Sequence, residues 1–170
     1  VLGLCRRIAE QFDLIIEEKD DNESWNGFNV LHTAASRVAG LDMKFVPKDR
    51  ARYLEDILDD ANNGIIEMVY LMAADEIDMS RLGKAFVVYQ GHHGDAGAHR
   101  ADVILPGAAY TEKDGLYVNT EGRPQFAVRA VFPPGDARED WRIVRALSDL
   151  VGSALEFDTS EELHQRLSKA

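Results

Sequence analysis

The sequence predicts an α/β fold of three layers, in which a mostly parallel sheet lies between helices. Apolar runs at 66–71, 86–89 and 103–105 are separated by segments compatible with helices. Continuous runs of this length suit parallel strands that are covered on both faces. The last run stops at Pro106, which lacks the backbone N–H that a strand ladder needs. The alternation of strands and helices indicates a Rossmann-like layered domain.

The first predicted helix opens the chain and carries an apolar stripe at helical spacing. Cys5 lies in this stripe, and we interpret it as a small buried hydrophobe rather than a reactive thiol. It is the single cysteine, so the chain holds no internal disulfide and no cluster with four thiolates of its own. The stripe consists of Leu2, Cys5, Ile8, Ala9 and Phe12.

A charged connector, 17–26, precedes the second predicted helix. We expect Gly40 to end that helix as a left-handed cap and Trp25 to pack onto its start. His32 within it is more typical of a structural residue than of a catalytic or metal-binding one. The helix is marked by Phe28, Leu31, Ala35 and Val38, and a third helix, which ends at 62–64, is marked by Tyr53, Leu54, Ile57, Leu58 and Ala61.

The turn at 72–75 follows the first apolar run, where doubly wound sheets bind ligands. A turn that binds phosphate needs glycine there, so that backbone N–H groups can approach the anion. This turn instead carries methyl groups, ends in Asp75 and is followed by Glu76 and Asp78, and these three carboxylates would repel a pyrophosphate. The turn therefore argues against binding of a nucleotide or molybdopterin.

The segment 78–84 predicts a short crossover to the next parallel strand. A β-hairpin is predicted at 116–130, with its turn at 121–122. We then expect Asp136 to cap a helix in a capping box with Glu139. The predicted buried stripe of that helix is Trp141, Ile143, Val144, Leu147, Leu150 and Val151, and a last helix with Leu163 and Leu167 starts from a capping box of Thr159 and Glu162.

Composition excludes several classes of function. The formal net charge of −11 argues against a nucleic acid partner, which needs clustered Lys and Arg. No apolar run approaches the roughly 18 residues of a membrane span. We find neither a nucleophile elbow nor a P-loop. We therefore expect neither nucleic acid binding nor direct insertion into a membrane.

The histidine-rich segment between the last two apolar runs has two interpretations. His92, His93, Asp95 and His99 suggest metal ligands, but adjacent side chains such as the first two rarely converge on one ion. The glycines at 91, 94 and 97 favour a tight turn into a short helix that Asp95 caps. We favour that structural turn, in contact with another subunit, and predict no metal site.

Four stretches of the sequence resemble the carboxyl-terminal part of the large iron–sulfur subunit of NADH:quinone oxidoreductase, respiratory complex I. That part is itself related to the molybdopterin oxidoreductases, so the resemblance implies an old cofactor-binding fold. The stretches are WNGFNVLHTAASRVAGLD (Trp25–Asp42), ADVILPGAAYTEK (Ala101–Lys113), YVNTEGRPQ (Tyr117–Gln125) and PPGDAREDW (Pro133–Trp141).

The resemblance implies that residues 1–170 form a single domain segment, with its sheet in 1–131 and a helical part in 136–170. The family has a strand before the first helix, so the sheet is expected to be incomplete at its N-terminal edge and completed by preceding polypeptide. The family also often has glycine where Ala73 stands. We expect Arg123 to fork onto Glu121. The remnant of the ancestral cofactor surface is expected at Asn119, Glu121, Gly122, Arg123 and Gln125.

The function implied is structural. The segment is expected to shape the peripheral arm of complex I and to contact its neighbours, with no catalytic, cofactor-binding or metal-binding residue of its own. Iron–sulfur clusters are expected in the companion amino-terminal part, and molybdopterin is not expected. The implied location is the matrix side of the mitochondrial inner membrane, or the cytoplasmic side of a bacterial inner membrane. Two alternatives are a fragment that binds molybdopterin or a nucleotide, and an autonomous binding module.

Overall fold

Three apolar strands pair in parallel in a computed structural model that describes residues 2–16, 25–35, 37–47 and 53–169. They are β3 (Met68–Met72), β4 (Phe86–Gly91) and β5 (Val103–Pro106), in the order β3-β4-β5. The strands are mostly apolar, and a 3₁₀ helix or α-helix separates each from the next, as parallel pairing requires. The predicted α/β fold with a parallel sheet is confirmed.

The chain forms two compact units, which we describe separately. The first comprises 1–45 and 116–125, and the second comprises 46–115 and 126–170. The prediction of a single domain segment, with its sheet in 1–131 and helices in 136–170, stays a prediction. Elements outside the parallel sheet are α1 (Leu2–Gln11), β1 (Ile15–Ile16), β2 (Trp25–Asn26), α2 (Arg37–Asp42), α3 (Leu54–Asn62), a 3₁₀ helix (Met79–Leu82), α4 (Ala96–Arg100), β6 (Gly115–Val118), β7 (Pro124–Ala127), α5 (Asp140–Leu150) and α6 (Ser160–Leu167).

The core of the second unit lies between the sheet and α3. Leu82 and Val87 are fully buried there, and Tyr89 is almost so. The short 3₁₀ helix thus serves both as the crossover from β3 to β4 and as cover for the sheet. The cluster comprises Leu58, Ala61, Leu71, Leu82, Ala85, Val87 and Tyr89.

Helix α2 is shorter than predicted and begins later. It spans Arg37–Asp42, so Gly40 lies inside it and is not its cap. Lys44 ends the turn instead: its φ is 55°, and its N–H donates to the carbonyl of Leu41 at 2.9 Å. The prediction placed the cap at the wrong residue, because the left-handed conformation expected of Gly40 is adopted by Lys44. The predicted packing of the Trp25 side chain lies outside what the structure describes.

The predicted burial of two apolar stripes is wrong. In α1, Ala9 is the one residue buried among the described contacts, and Cys5 is exposed, as are Leu2 and Phe12. In α5, Leu150 is 85% exposed and Leu147 is also exposed, as is Val151 at the C-cap position. Strand β5 likewise exposes Val103 and Ile104, which point to opposite faces of the sheet, so neither face of this strand is fully covered. These stripes have the spacing of core faces but find little cover among the described residues.

The start of α5 also differs from prediction. Its N-cap position is Glu139, and Asp140 is its first residue, so Asp136 does not cap it. The Glu139 carboxylate accepts from Arg142 Nε at 2.8 Å instead of closing a capping box. The preceding backbone is held away from helical geometry, because the Arg138 N–H donates to the Pro106 carbonyl at 3.0 Å.

Helix termini at both ends of the second unit match the prediction. Helix α3 ends at Asn62 and is followed by its C-cap Asn63 and by Gly64, whose φ is 74°. Helix α6 begins with the predicted capping box: Thr159 Oγ1 accepts from the Glu162 N–H at 3.2 Å, and the Glu162 carboxylate accepts from the Thr159 N–H at 3.3 Å. Among the described residues, no helix combines the length and apolar character needed to cross a lipid bilayer.

Candidate functional site

The loops that follow β4 and β5 line a cleft of about 450 Å³ at the carboxyl ends of the parallel strands. In open α/β sheets this edge is where ligands bind, so we regard it as the candidate functional site. Its walls come from the glycine-rich turn after β4, from the end of β5 and from the segment before α5. They include Gly91, His92, His93, Gly107, Glu112 and Asp136.

The turn after β3 has the backbone of a glycine turn but not the residue. Ala73 has a φ of 50°, in the left-handed region, and its N–H donates to the carbonyl of Gln90 at 2.7 Å. A non-glycine residue in this conformation carries strain of about 1–2 kcal/mol. The position where the resemblance implied glycine therefore keeps the geometry that glycine serves.

From the sequence, Asp75 was expected only to repel a bound phosphate by its charge. In the structure its carboxylate also accepts two specific hydrogen bonds. Its Oδ2 accepts from the Tyr89 hydroxyl at 2.7 Å, and its Oδ1 accepts from the backbone N–H of Gly97 at 2.8 Å. Gly97 is at the start of α4, where unpaired backbone N–H groups otherwise attract anions. A carboxylate of the protein thus occupies a donor that a phosphate would need.

Tyr89 pairs with that carboxylate from the sheet. Burial raises the pKa of its hydroxyl well above the ordinary range, and the hydrogen bond to Asp75 and the charges of Asp75 and Asp95 raise it further. The Tyr89 hydroxyl is therefore a fixed hydrogen-bond donor. Its role is structural, because it joins β4 to the turn that follows β3.

Two glycines are required by the close approach of neighbouring side chains. A Cβ added at Gly91 would lie 2.3 Å from the Tyr89 ring, and one at Gly97 would lie 2.6 Å from Asp75 Oδ1. The predicted cap of the short helix is corrected in one respect: Asp95 occupies the N-cap position but its side chain makes no capping bond. Asp75 supplies that carboxylate from the neighbouring turn.

The other two carboxylates of the turn differ from each other. Asp78 caps the 3₁₀ helix, accepting from the Ser80 N–H at 3.0 Å and the Ser80 hydroxyl at 2.6 Å. Both bonds lower the pKa of the Asp78 carboxyl, and the bond from the Ser80 hydroxyl has the larger effect. Glu76 is exposed. The carboxylates of Asp75 and Asp78 are thus fixed by hydrogen bonds at this edge of the sheet, which stays negatively charged.

A second polar network lies on the opposite side of β4. The sequence analysis did not predict it. Gln90 is fully buried, and its Nε2 donates to Asp140 Oδ1 at 2.8 Å while its Oε1 accepts from the Tyr70 hydroxyl at 2.5 Å. Lys113 forms an ion pair with Asp140. Burial, then the charge of Asp140, raises the pKa of Tyr70. The available signal was a glutamine that continues an apolar run.

The histidines do not gather around one point in the described structure. The rings of His92 and His93 meet edge to face with centroids 4.4 Å apart. His99 Nδ1 lies 3.0 Å from the carbonyl oxygen of Asp95. Among the described residues, no three His, Cys, Asp or Glu side chains are placed to hold a metal ion.

The hairpin residues are organised by Asn119. Its Oδ1 accepts from the backbone N–H groups of Glu121 at 3.0 Å and Arg123 at 2.9 Å, and Gly122 has a φ of 78°. These bonds define the turn, and the predicted side-chain fork between Arg123 and Glu121 is not among the ion pairs of the described residues.

Part of the predicted remnant surface lines a separate cleft of about 240 Å³. Asn119 and Gln125 contribute to it, together with His32 from the segment before α2. Glu121, Gly122 and Arg123 are not among its lining residues. The derivation of this hairpin from a cofactor surface stays a prediction.

Comparison with known proteins identifies the relatives of this chain. The family described as "Molybdopterin oxidoreductase" matches residues 4–150. The chain is 51% identical, over 84% of its length, to the "NADH-ubiquinone oxidoreductase 75 kDa subunit" of Reclinomonas americana, of which it covers 20%. It is 43% identical, over 99% of its length, to a bacterial relative, a subunit of the NADH-quinone oxidoreductase of Rickettsia bellii, of which it covers 22%.

A plant mitochondrial protein gives the same result. The chain is 47% identical, over 84% of its length, to the "NADH dehydrogenase [ubiquinone] iron-sulfur protein 1, mitochondrial" of Solanum tuberosum, of which it covers 18%. The resemblance predicted from the four sequence stretches is confirmed. The chain spans about a fifth of the length of these curated relatives.

Proposed function

The chain belongs to the molybdopterin oxidoreductase family, and from that premise we propose that it is a structural segment of the peripheral arm of NADH:quinone oxidoreductase. It forms part of the large iron–sulfur subunit and carries no active site of its own. Electrons pass from NADH toward quinone through clusters in the companion part of that subunit. Relatives that are named as subunits of this enzyme support the assignment.

The bond between Asp75 and Gly97 is the observation that carries the structural role. A molybdopterin or nucleotide offers phosphate oxygens, which bind backbone N–H groups at a sheet edge of this kind. Here Asp75 already accepts from the Gly97 N–H at 2.8 Å and from Tyr89 at 2.7 Å. An added phosphate would meet a like charge and find this donor taken, so these residues do not fit the family's cofactor.

The alternative function, a fragment that binds molybdopterin or a nucleotide, would need this turn to open. Asp75 would have to leave both donors, and the Tyr89 hydroxyl, which is held protonated by a raised pKa, would lose its acceptor. The observed bonds therefore favour the structural role over the alternative.

Partners and location follow from the relatives as part of this proposal. The segment packs against the cluster-bearing part of its own subunit and against other subunits of the peripheral arm. The exposed apolar faces of α1 and α5 are suited to such contacts, since isolated domains rarely leave stripes of this kind uncovered. We place it on the matrix side of the mitochondrial inner membrane, or on the cytoplasmic side of a bacterial inner membrane.

Affinity purification of the tagged full-length subunit from its native membranes tests the proposal. We expect flavin- and cluster-bearing respiratory subunits in the eluate by mass spectrometry, with NADH oxidation coupled to quinone reduction. We expect molybdenum and released pterin to stay far below one mole per mole of the subunit. Recovery of the subunit alone, or of stoichiometric molybdenum, would contradict the assignment.

A further inference from the structure

The segment that follows β7 holds exposed apolar side chains on a fixed backbone. Phe132 is 78% exposed and Val128 is 75% exposed. The backbone between them is anchored, because the Ala130 N–H donates to the Thr111 carbonyl at 2.9 Å and the Arg129 N–H donates to Asp114 Oδ1 at 2.7 Å. Exposed apolar groups on an anchored loop are typical of an interaction surface.

Three arginines surround the cleft of about 210 Å³ beside Phe132. The Arg129 guanidinium lies 4.3 Å from the centroid of the Phe132 ring. Arg138 Nη1 donates to two backbone carbonyls, those of Gly135 and Ala137, at 3.2 and 2.9 Å. We call this surface the arginine cleft.

Positive charge at the arginine cleft exceeds the negative charge that faces it. Among the described contacts of these three arginines, one is with a carboxylate: Arg142 Nε donates to Glu139 Oε2 at 2.8 Å. The Asp114 carboxylate nearby binds the backbone of Arg129. Each guanidinium has five N–H donors, so donors remain after these contacts. This local excess stands within a chain whose formal net charge is −11.

We propose that the arginine cleft docks an acidic segment of a neighbouring polypeptide, which places carboxylates on Arg129 and Arg138 and an apolar side chain on Phe132. Guanidinium forks bind carboxylates in a bidentate manner and stack on aromatic rings, so the observed set matches both parts of such a segment. The net negative charge of the rest of the chain disfavours acidic partners elsewhere and directs them to this cleft. This inference rests on the proposed function, which supplies neighbouring polypeptides.

Photo-crosslinking in the intact complex tests the docking surface. The full-length subunit carries the substitution Phe132→p-benzoylphenylalanine, and the assembled complex is purified and irradiated. The crosslinked peptide is then identified by mass spectrometry. We expect a segment with at least two Asp or Glu within a few residues of the crosslink. An assembled complex without a crosslink at this position, or with one to a segment lacking acidic residues, would overturn the inference while leaving the proposed function standing.

Charge reversal supplies the matched controls. The pair Arg129→Glu and Arg138→Glu should reduce the crosslink yield at least about tenfold, as expected for the loss of charge pairs at an interface. The pair Arg166→Glu and Lys169→Glu makes the same change of charge on the last helix and its following turn, and should leave the yield unchanged. The single variant Arg129→Lys, which keeps the charge but loses the fork, should give an intermediate yield. Equal yields in all variants would contradict the role of the arginines.

A second measurement does not depend on assembly. The purified full-length subunit is titrated with a fluorescent peptide that has four glutamates around one leucine, and with its glutamine counterpart. We expect the acidic peptide to bind at least about tenfold more tightly, a difference of about 1.4 kcal/mol, and the doubly reversed variant to lose this preference. Equal binding of both peptides, or displacement of the acidic one by millimolar inorganic phosphate alone, would identify the cleft as a simple anion site and overturn the proposal.

Discussion

Ala73 adopts a backbone conformation that usually requires glycine. Its φ of 50° is the geometry of a glycine, and its N–H reaches the carbonyl of Gln90. The chain keeps this conformation at the cost of strain, because the bond from Ala73 to β4 fixes the turn. The sequence indicated an unsuitable residue for a phosphate turn, and the structure shows that this residue nevertheless adopts the left-handed conformation.

The substitution Ala73→Gly should stabilise the protein. Removing the strained Cβ returns about 1–2 kcal/mol, and the extra chain entropy of glycine takes back about 0.5–1 kcal/mol, so the midpoint of thermal unfolding of the full-length subunit should rise. Ala74→Gly is the control: its φ is not positive, so that variant should unfold at a lower temperature than wild type. A fall in midpoint for both variants would show that Ala73 is unstrained.

The raised pKa of Tyr89 should make the free energy of unfolding fall at alkaline pH. Its pKa is raised in the folded state by burial and by Asp75, so the folded protein resists ionisation that the unfolded chain undergoes near the ordinary tyrosine pKa of about 10. The contribution is complete below that pH and is lost as pH rises above it. The substitution Tyr89→Phe should flatten the loss of unfolding free energy above about pH 10, measured by urea denaturation. Tyr110→Phe, at an exposed position, should leave the slope as in wild type.

At the scale of elements, polar side chains of β4 join the sheet to its surroundings on both sides. Tyr89 reaches the turn after β3, and Gln90 reaches the first residue of α5. Alternation along a strand sends neighbouring side chains to opposite faces, so two consecutive residues can serve two different elements. At the edge where related folds bind ligands, the protein's own hydrogen bonds therefore occupy the Tyr89 hydroxyl and the Gly97 N–H.

The substitution Gln90→Leu tests the connection between β4 and α5. It leaves the Tyr70 hydroxyl without its acceptor and Asp140 without the buried amide donor, each at a cost of about 1–3 kcal/mol. We expect a lower unfolding midpoint and faster hydrogen exchange at the start of α5. Gln165→Leu, on the surface of α6, is the matched control and should change neither quantity. An unchanged exchange rate in α5 would show that other contacts hold the helix.

At the scale of the whole molecule, apolar stripes with core spacing lie exposed in both compact units. Leu2 and Phe12 are examples in the first unit, and Leu150 and Val151 are examples in the second. The relatives are about five times as long as the part matched here, so most of their polypeptide remains to cover these stripes. Under the proposed function, these exposed stripes are contact surfaces for neighbouring polypeptide.

Thiol accessibility at Cys5 measures that cover. The residue is exposed in this chain, and in the intact complex we expect the apolar face of α1 to be packed against neighbouring polypeptide. Alkylation of Cys5 by a maleimide should be slowed at least about tenfold in the native complex relative to the isolated chain, because protection requires local opening. Equal rates in both preparations would show that α1 stays uncovered in the assembly.

The sequence alone determined the parts of this protein that depend on local chemistry. Apolar runs predicted the parallel strands, and the pair Thr159 and Glu162 predicted the start of α6, because each of these signals lies within a few consecutive positions. The motif stretches likewise predicted the family. They are contiguous, so no knowledge of long-range contacts was needed to recognise them.

Only the tertiary structure decided which distant groups meet. Asp75 bonds to Gly97, and Gln90 bonds to Asp140 across 50 positions of sequence, and neither pairing follows from spacing or residue type. Burial of a stripe, as at Cys5, and the start of a helix, as at Asp140, depend in the same way on what packs against them. A side chain has many partners of suitable chemistry in the sequence, and only the path of the backbone brings one of them within about 3 Å.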